Sequence, residues 1–448
     1  MRRGASFVLA GFLAASSALA EKAPSTQPKI DTERLFEAFD EEPSAKRKEP
    51  IVEGRFGGHA KLQSTVTHYP GDSLLRDLQG ATWEDGGLDL RLSGSLDFGR
   101  IDLVAEGQLV GLFGDRIELT RSFGTAPGVA LVRFQDDAIR GFDLTSVRRD
   151  RGRTALLTRF DRLSVGYTGP RNVLRVGRQA VTWGNGFVYT PMDVFNPFDP
   201  AAVDREFKPG DDMVYAQHLL PRGDDLQAVW VVRRDPRGDR TSDVSSLALK
   251  YHGLFGVGEI DALVARHYGD DLYGVGGSLS IGGAVLRGDV VVTESELGTT
   301  VSAVSGITRS WVLGGKNVSA FVELHRNGFG QPGRRYSGDE LAANPELLER
   351  LARQEMFTLG RSYAAASVTV EVTPLFLLTP NLFVNVEDTS GLLQIVGQND
   401  LSQDLVLQTA IGLPFGDAGT EFGGLPTPIP GRFVASGPSL FVQIARYF

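Results

Sequence analysis

Apolar and polar residues alternate with a period of two, in segments of about ten residues, along nearly the whole chain. Leu88, Leu90, Leu92, Leu96 and Phe98 interleave with Asp89, Arg91, Ser93, Ser95 and Asp97. The next segment sets Ile101, Leu103, Ala105 and Leu109 against Asp102, Glu106 and Gln108. Further on, Val318, Ala320, Val322 and Leu324 oppose Ser319, Glu323 and His325, and Ala364 to Val372 repeats the pattern against Ser367, Thr369 and Glu371. In an extended strand successive side chains point to opposite faces, so each segment carries one apolar and one polar face. Beyond the N-terminus no stretch reaches the 18 uninterrupted apolar residues of a membrane helix. Gly, Pro, Asp and Asn separate the segments, which predicts antiparallel strands joined by turns. A soluble sandwich also alternates, but many ten-residue strands with a fully polar second face fit a closed transmembrane β-barrel with a watery lumen.

Eighteen strands are predicted, within a range of about 16 to 20: 54–68, 87–99, 101–113, 155–168, 172–183, 211–221, 224–235, 242–254, 257–269, 271–282, 284–294, 299–312, 316–328, 362–374, 377–388, 391–399, 402–414 and 437–448. An even count puts both ends of the barrel on the periplasmic side, with short turns there and longer loops outside. The long connections 114–154, 184–210, 329–361 and 415–436 then all fall outside, whereas 169–171, 255–256, 283 and 313–315 fall inside. Val129 to Thr145 fits either an added hairpin or a loop folded into the lumen. Leu347, Leu348 and Leu351 after Pro345 predict a short helix in the loop 329–361.

Residues 1–20 place Arg2 and Arg3 before a short apolar run that ends in Ala18 and Ala20, a secretory signal pattern. Residues 21–53 carry four prolines and the charge run Lys46-Arg47-Lys48-Glu49, a periplasmic tail or an N-terminal hatch for the lumen. Within it Asp31 could cap a short helix through Asp40. The barrel is expected over 54–448.

Composition narrows the functional classes. Without its first 20 residues the chain holds 44 basic against 55 acidic residues, which argues against nucleic-acid binding. There is no Cys, hence no disulfide and no thiolate chemistry. The six His, at 59, 68, 218, 252, 267 and 325, show no metal-ligand spacing. No enzyme activity, metal or cofactor is expected.

Residues 177–197 hold Gly177-Arg178-Gln179, Trp183-Gly184 and Pro191-Met-Asp193-Val-Phe-Asn196-Pro197. This pattern resembles a poorly characterised family of proteobacterial outer-membrane barrels and, more distantly, the alginate-export barrels. A second patch is similar to the closing strands of that family: Gly360-Arg361-Ser362-Tyr363, Asn385, Asp388, Ser390 and Leu413-Pro414-Phe415-Gly416. The resemblance implies an outer-membrane channel or exporter component, working with an inner-membrane exporter or periplasmic carrier on polymeric or apolar cargo. An uptake channel for hydrophobic solutes with the 21–53 hatch, and a structural barrel without transport, are the alternative readings.

Facing lipid, Arg178 would cost about 2 to 4 kcal/mol, so it is expected to point into the lumen. That phase puts Val173, Arg175, Gly177, Gln179, Val181 and Trp183 outward, Trp183 in the membrane's aromatic girdle. Gln179 is awkward there unless a bulge turns it inward. The Pro- and Phe-rich loop that follows either folds inward as a constriction, with Asp193, Asn196 and Asp199 near Arg178, or stays a rigid outer loop with no role in passage. Other pore-lining candidates are Arg91, Asp97, Glu106, Arg287, Asp289, Glu323, His325 and Glu371. The preponderance of inward acids predicts either weak cation selectivity or solvated lumen charge with no selectivity. Arg148, Arg149, Arg151 and Arg153, and Arg233, Arg234, Arg237 and Arg240, form two outer clusters, read either as solvated loop charge or as contacts for lipopolysaccharide phosphates. Leu440, Val442, Ile444, Tyr447 and the terminal Phe448 resemble the signal read by the barrel-assembly machinery, with Arg446 interrupting the stripe.

Overall fold

A computed structural model describes residues 52–123 and 137–448. The signal pattern 1–20, nearly all of the 21–53 segment and the first part of Val129–Thr145 lie outside the described residues.

The chain forms β1 (Glu53–His68), α1 (Leu74–Gln79), β2 (Thr82–Asp97), β3 (Ile101–Gly114), α2 (Asp115–Phe123), β4 (Thr145–Arg151), β5 (Thr154–Thr168), β6 (Asn172–Gln179), β7 (Asp211–Leu219), β8 (Asp225–Val231), β9 (Ser246–Phe255) and β10 (Gly258–His267). It continues with β11 (Asp270–Ile281), β12 (Ala284–Ser295), β13 (Gly298–Leu313), β14 (Lys316–Arg326), α3 (Gly338–Ala342), α4 (Pro345–Ala352), β15 (Ser362–Thr373), β16 (Phe376–Asn385), β17 (Gly391–Ser402), β18 (Leu405–Phe415), β19 (Leu425–Pro426), β20 (Phe433–Val434) and β21 (Ser439–Tyr447). Nineteen strands share one sheet. Of these β4 pairs only with β5, above the short β6, and the other eighteen close into an antiparallel ring in which β21 joins β18 on one side and β1 on the other. The sequence placed all eighteen; it ran β6 and β8 several residues too far and opened β2 five residues late.

Closure removes the free edges of the eighteen-strand ring, so its ladder groups bond to one another without water, whereas β4 keeps one free edge among the described residues. Outside, Leu92, Leu96, Leu174, Val264, Val322 and Leu324 are exposed, as a lipid-facing band requires. Inside, charged and polar residues such as Lys61, Arg91, Asp161, Glu323 and Gln443 are buried, so the lumen is packed rather than open. No helix among the described residues is long and apolar enough to cross a membrane, and the crossing is made by strands.

The long connections gather at one rim. There Tyr69, Leu75, Trp83, Leu119, Leu341, Leu347 and Leu425, from four different connections, form an apolar cluster that roofs part of the barrel. The helix expected after Pro345 is α4; Asn344 caps it by accepting the Leu347 N–H at 3.2 Å. A capping box between Ser337 and Glu340 starts α3.

Candidate functional site

The segment 180–210, between β6 and β7, turns into the lumen and is bonded to walls on several sides. Glu323 on β14 accepts three consecutive backbone N–H groups, from Phe187 (2.7 Å), Val188 (3.1 Å) and Tyr189 (2.8 Å). A single carboxylate thereby fixes three donors of an irregular backbone that has no ladder of its own. Asp289 on β12 accepts both the Asn185 N–H and its side-chain amide at 2.7 Å, and Asn185 also donates to Asp261 on β10 at 2.9 Å. Arg287 stacks over the Phe187 ring at 4.5 Å.

On the far wall Lys61 of β1 pairs with Asp204 and Glu206, each at 2.6 Å. Gln443 and Tyr447 of β21 donate to Asp204 (3.0 Å) and Glu206 (2.8 Å), and Gln408 of β18 donates to the Val203 carbonyl at 3.3 Å. The segment therefore spans the lumen from β10–β14 to β18–β1. Its own core is an ion pair: Lys208 donates to Asp193 at 2.6 and 2.7 Å and to the Val181 carbonyl at 2.6 Å. Burial pushes the Asp193 carboxyl up and the Lys208 ammonium down, each opposed by the other's charge. Burial also lifts Asp199 to about 6; its carboxylate accepts the Ala201 N–H at 2.8 Å. Asn196 has φ 53°, a left-handed conformation that Asn tolerates, and its amide reaches the Pro209 carbonyl at 3.4 Å.

Arg178 is buried and points inward, yet it does not meet the segment's acids. Its guanidinium binds Asp137 (2.9 Å) and Asp212 (2.9 Å) and donates to the carbonyls of Phe142 and Phe160. These contacts sew the stretch 137–144 onto the tops of β6 and β7, where the wall has no ladder linking them. Arg178 is a structural clamp there rather than a free pore charge.

The phase expected for β6 is corrected by Gly177. Leu174 and Val176 face outward while Val173 and Arg175 face the lumen, Arg175 lying 3.5 Å from Asp102. At Gly177 φ is +128°, and a Cβ there would stand 2.2 Å from the Leu163 carbonyl oxygen, so only glycine fits. No bulge is needed: the pairing with β5 and β7 continues in register through Gly177, and its backbone twist alone leaves both Arg178 and Gln179 buried. Trp183 is likewise not a girdle residue. It is 3% exposed, stacks edge-on to Phe195 and donates to Gln227 at 2.8 Å, because the chain has already left the wall. Val181 is buried in the same apolar cluster.

The remaining candidates separate by depth. Arg91 is buried, paired with Glu106 (2.7 Å) and Asp161 (3.0 Å) and stacked over Phe207 at 4.0 Å. His325 stacks on Tyr189 with ring centroids 4.5 Å apart. Asp97 instead caps the turn before β3, accepting the Gly99 N–H at 2.7 Å, and Glu371 accepts from Asn317 near the same rim; neither meets the inward segment. The acidic lumen is corrected as well. Lys61, Lys208, Lys250, Arg159 and Arg162, which the face assignments left out, lie within ion-pair distance of buried acids, so pairs replace much of the acidic ring, while Asp289 and Glu323 accept N–H groups of the inward segment. Of the outer basic clusters, Arg148, Arg149 and Arg151 are exposed on β4, but Arg233 is buried against Asp211 at 2.9 Å and Arg234 and Arg240 hold carbonyls of 137–141. In β21 Leu440, Val442, Ile444 and Phe448 are exposed outward, whereas Tyr447 points into the lumen toward Glu206.

Between the inward segment, α4 with residues 355–358, and the outer ends of β10–β14 lies a cavity of about 100 Å³.

No family model and no curated protein matches the chain. Solved structures do. A BenF-like porin from Pseudomonas fluorescens matches 88% of this chain and 98% of its own, at 8% identity and TM-score 0.52. The Escherichia coli protein Wzi, a carbohydrate-binding outer-membrane barrel involved in group 1 capsule assembly, matches 86% of this chain and 83% of its own, at 12% identity and TM-score 0.49. Pseudomonas aeruginosa OccK5 matches 88% and 98%, at 10% identity and TM-score 0.49. The first of these likenesses shows the fold, a porin-like outer-membrane barrel. The finer motif pattern around Gly177-Arg178-Gln179 has no match.

Proposed function

We propose that this chain is a channel for small solutes in the outer membrane of a Gram-negative bacterium, with the segment 180–210 as its constriction. The observation that carries this reading is that segment's attachment to β1, β10, β12, β14, β18 and β21 across the lumen. A strut held at one wall by a carboxylate that accepts three N–H groups, and at the opposite wall by ion pairs, narrows the passage to the gaps beside it. Such gaps suit small molecules. A polymer would need the whole strut withdrawn, so small solutes are favoured over exported polymeric cargo. The paired lumen charges favour weak ionic selectivity of either sign over a strong cation preference.

Deleting residues 187–208 tests the reading. Single-channel conductance in planar bilayers is expected to rise, and bulkier solutes to pass. Unchanged conductance in a correctly folded variant would overturn the constriction, and a folded native barrel that never conducts would favour a purely structural role. Removing residues 21–53 separates the hatch reading: a rise in conductance supports a hatch, and no change supports a tail.

A further inference from the structure

The cavity of about 100 Å³ belongs to neither wall nor strut alone, and its lining points to one kind of occupant. Resting on the channel reading above, we propose that it is a binding site for a small, uncharged, single-ring solute carrying one hydroxyl donor, a phenol-like molecule.

Three features carry this. The first is shape and surface. Tyr189 and Phe198 from the strut and Phe329, Met356 and Phe357 from the outer connection meet Leu272 of the wall around the space. Aromatic rings and a thioether give large, polarisable contact area suited to another ring. The volume is of the order of the ~150 Å³ apolar cavity that accepts benzene.

The second is charge. The cavity is lined by Asp193, Asp270 and Glu355, and each acid is spent. Asp193 is held by Lys208 at 2.6 Å, Asp270 by Arg350, and Glu355 by Arg353 at 3.9 Å with a hydrogen bond to His267 at 3.1 Å. Arg350 is spent too, lying over the Phe329 ring at 3.8 Å. An entering ion would lose hydration and find its possible partners already matched, a cost that a neutral solute avoids.

The third is a polar handle held in a fixed direction. His325 lines the cavity, and its Nδ1 lies 3.1 Å from the Ala303 carbonyl oxygen. A carbonyl can only accept, so Nδ1 carries the proton and the neutral ring keeps its Nε2 lone pair for a donor. The flat stack on Tyr189, 9° from parallel, fixes the direction of that lone pair.

The test is calorimetric titration of the full barrel in detergent with phenol, benzene and sodium benzoate. Phenol is expected to bind saturably and benzoate at least tenfold more weakly. His325→Phe keeps a ring in the stack but removes the acceptor, so phenol should weaken by about five- to tenfold with benzene unchanged. Thr293→Phe, filling the cavity from β12, and Met356→Trp, filling it from the outer connection, should each abolish both. Two filling variants guard against one that fails to fold. No saturable phenol binding by the folded native barrel would overturn the site, as would phenol binding that survives a folded filling variant, or benzoate binding as tightly as phenol. Binding in detergent needs no conduction. A barrel that conducts without binding phenol loses the site and keeps the channel; one that binds phenol without conducting does the reverse.

Discussion

Arg178 shows how a charge that looks functional in sequence is consumed by architecture. Its inward direction followed from the cost of a charge in lipid, a local argument that needs only the strand. Its partners did not. Asp137 and Asp212 lie 41 and 34 residues away, and neither has a spacing that marks it as a ligand for an arginine. Gly177 was legible as a glycine but not as a kink, because a reversal of face depends on how β5 crowds that position. The same reversal carried Trp183 inside. Replacing Arg178 with Ala leaves Asp212 with the Phe142 N–H at 2.7 Å and Asp137 with Arg140 at 2.9 Å. The expected cost is therefore at the lower end of that for breaking a buried pair, about 3 kcal/mol. Urea unfolding in lipid vesicles should show this loss, whereas reversal potential in a salt gradient should not move. A changed selectivity at full stability would instead return Arg178 to the pore.

At the scale of elements, strands were readable because their period is set by the backbone alone, and parity fixed the side on which the long connections lie. The loops were not readable in the same way. The prolines and phenylalanines of 187–209 spoke for a stiff segment, but its direction is decided by Glu323, 134 to 136 residues away, and by Lys61 beyond that. The roof depends on another distant acid. Glu421, between β18 and β21, is buried and accepts from the Leu359 N–H (2.8 Å), the Tyr363 hydroxyl (2.5 Å) and the Asn385 amide (2.8 Å), with Asp388 accepting its own N–H. Burial pushes its carboxyl up to about 7, with those hydrogen bonds opposing the rise. A carboxyl raised in the folded state binds more protons there than when unfolded. Its favourable contribution is full below the ordinary pKa near 4.5 and is lost as pH climbs through about 7, a change on the order of 3 kcal/mol. Amide exchange in 327–361 and 416–438, corrected for intrinsic rate, should thus be faster at pH 8 than at pH 5.5. Glu421→Gln should remove most of that difference, and an unchanged pH dependence in this variant would exclude Glu421 as its source.

For the whole molecule the decisive contact is the one that makes a sheet into a ring. β21 meets β1 through nine residue pairs, from Thr67–Ser439 to His59–Tyr447, and one step beyond the strand Phe448 and Gly58 exchange both backbone hydrogen bonds, at 2.8 and 3.1 Å. The Phe448 ring lies where a Gly58 side chain would stand: a Cβ there would come within 3.0 Å of it. The outward aromatic thus covers the first strand at the seam, while Tyr447 beside it turns inward to hold the strut through Glu206. Phe448 and Tyr447 serve two different contacts, one on each face of the strand. Removing Phe448 takes away two seam hydrogen bonds and the ring that covers them, but leaves the strut's anchor in place. Assembly in cells is therefore expected to fall while the protein that does fold keeps its conductance. Tyr447→Phe should do the opposite, assembling normally with a less firmly held strut and noisier single-channel currents. Equal folding yield without Phe448, measured as membrane-inserted barrel against total chain, would show that closure does not depend on the terminal aromatic.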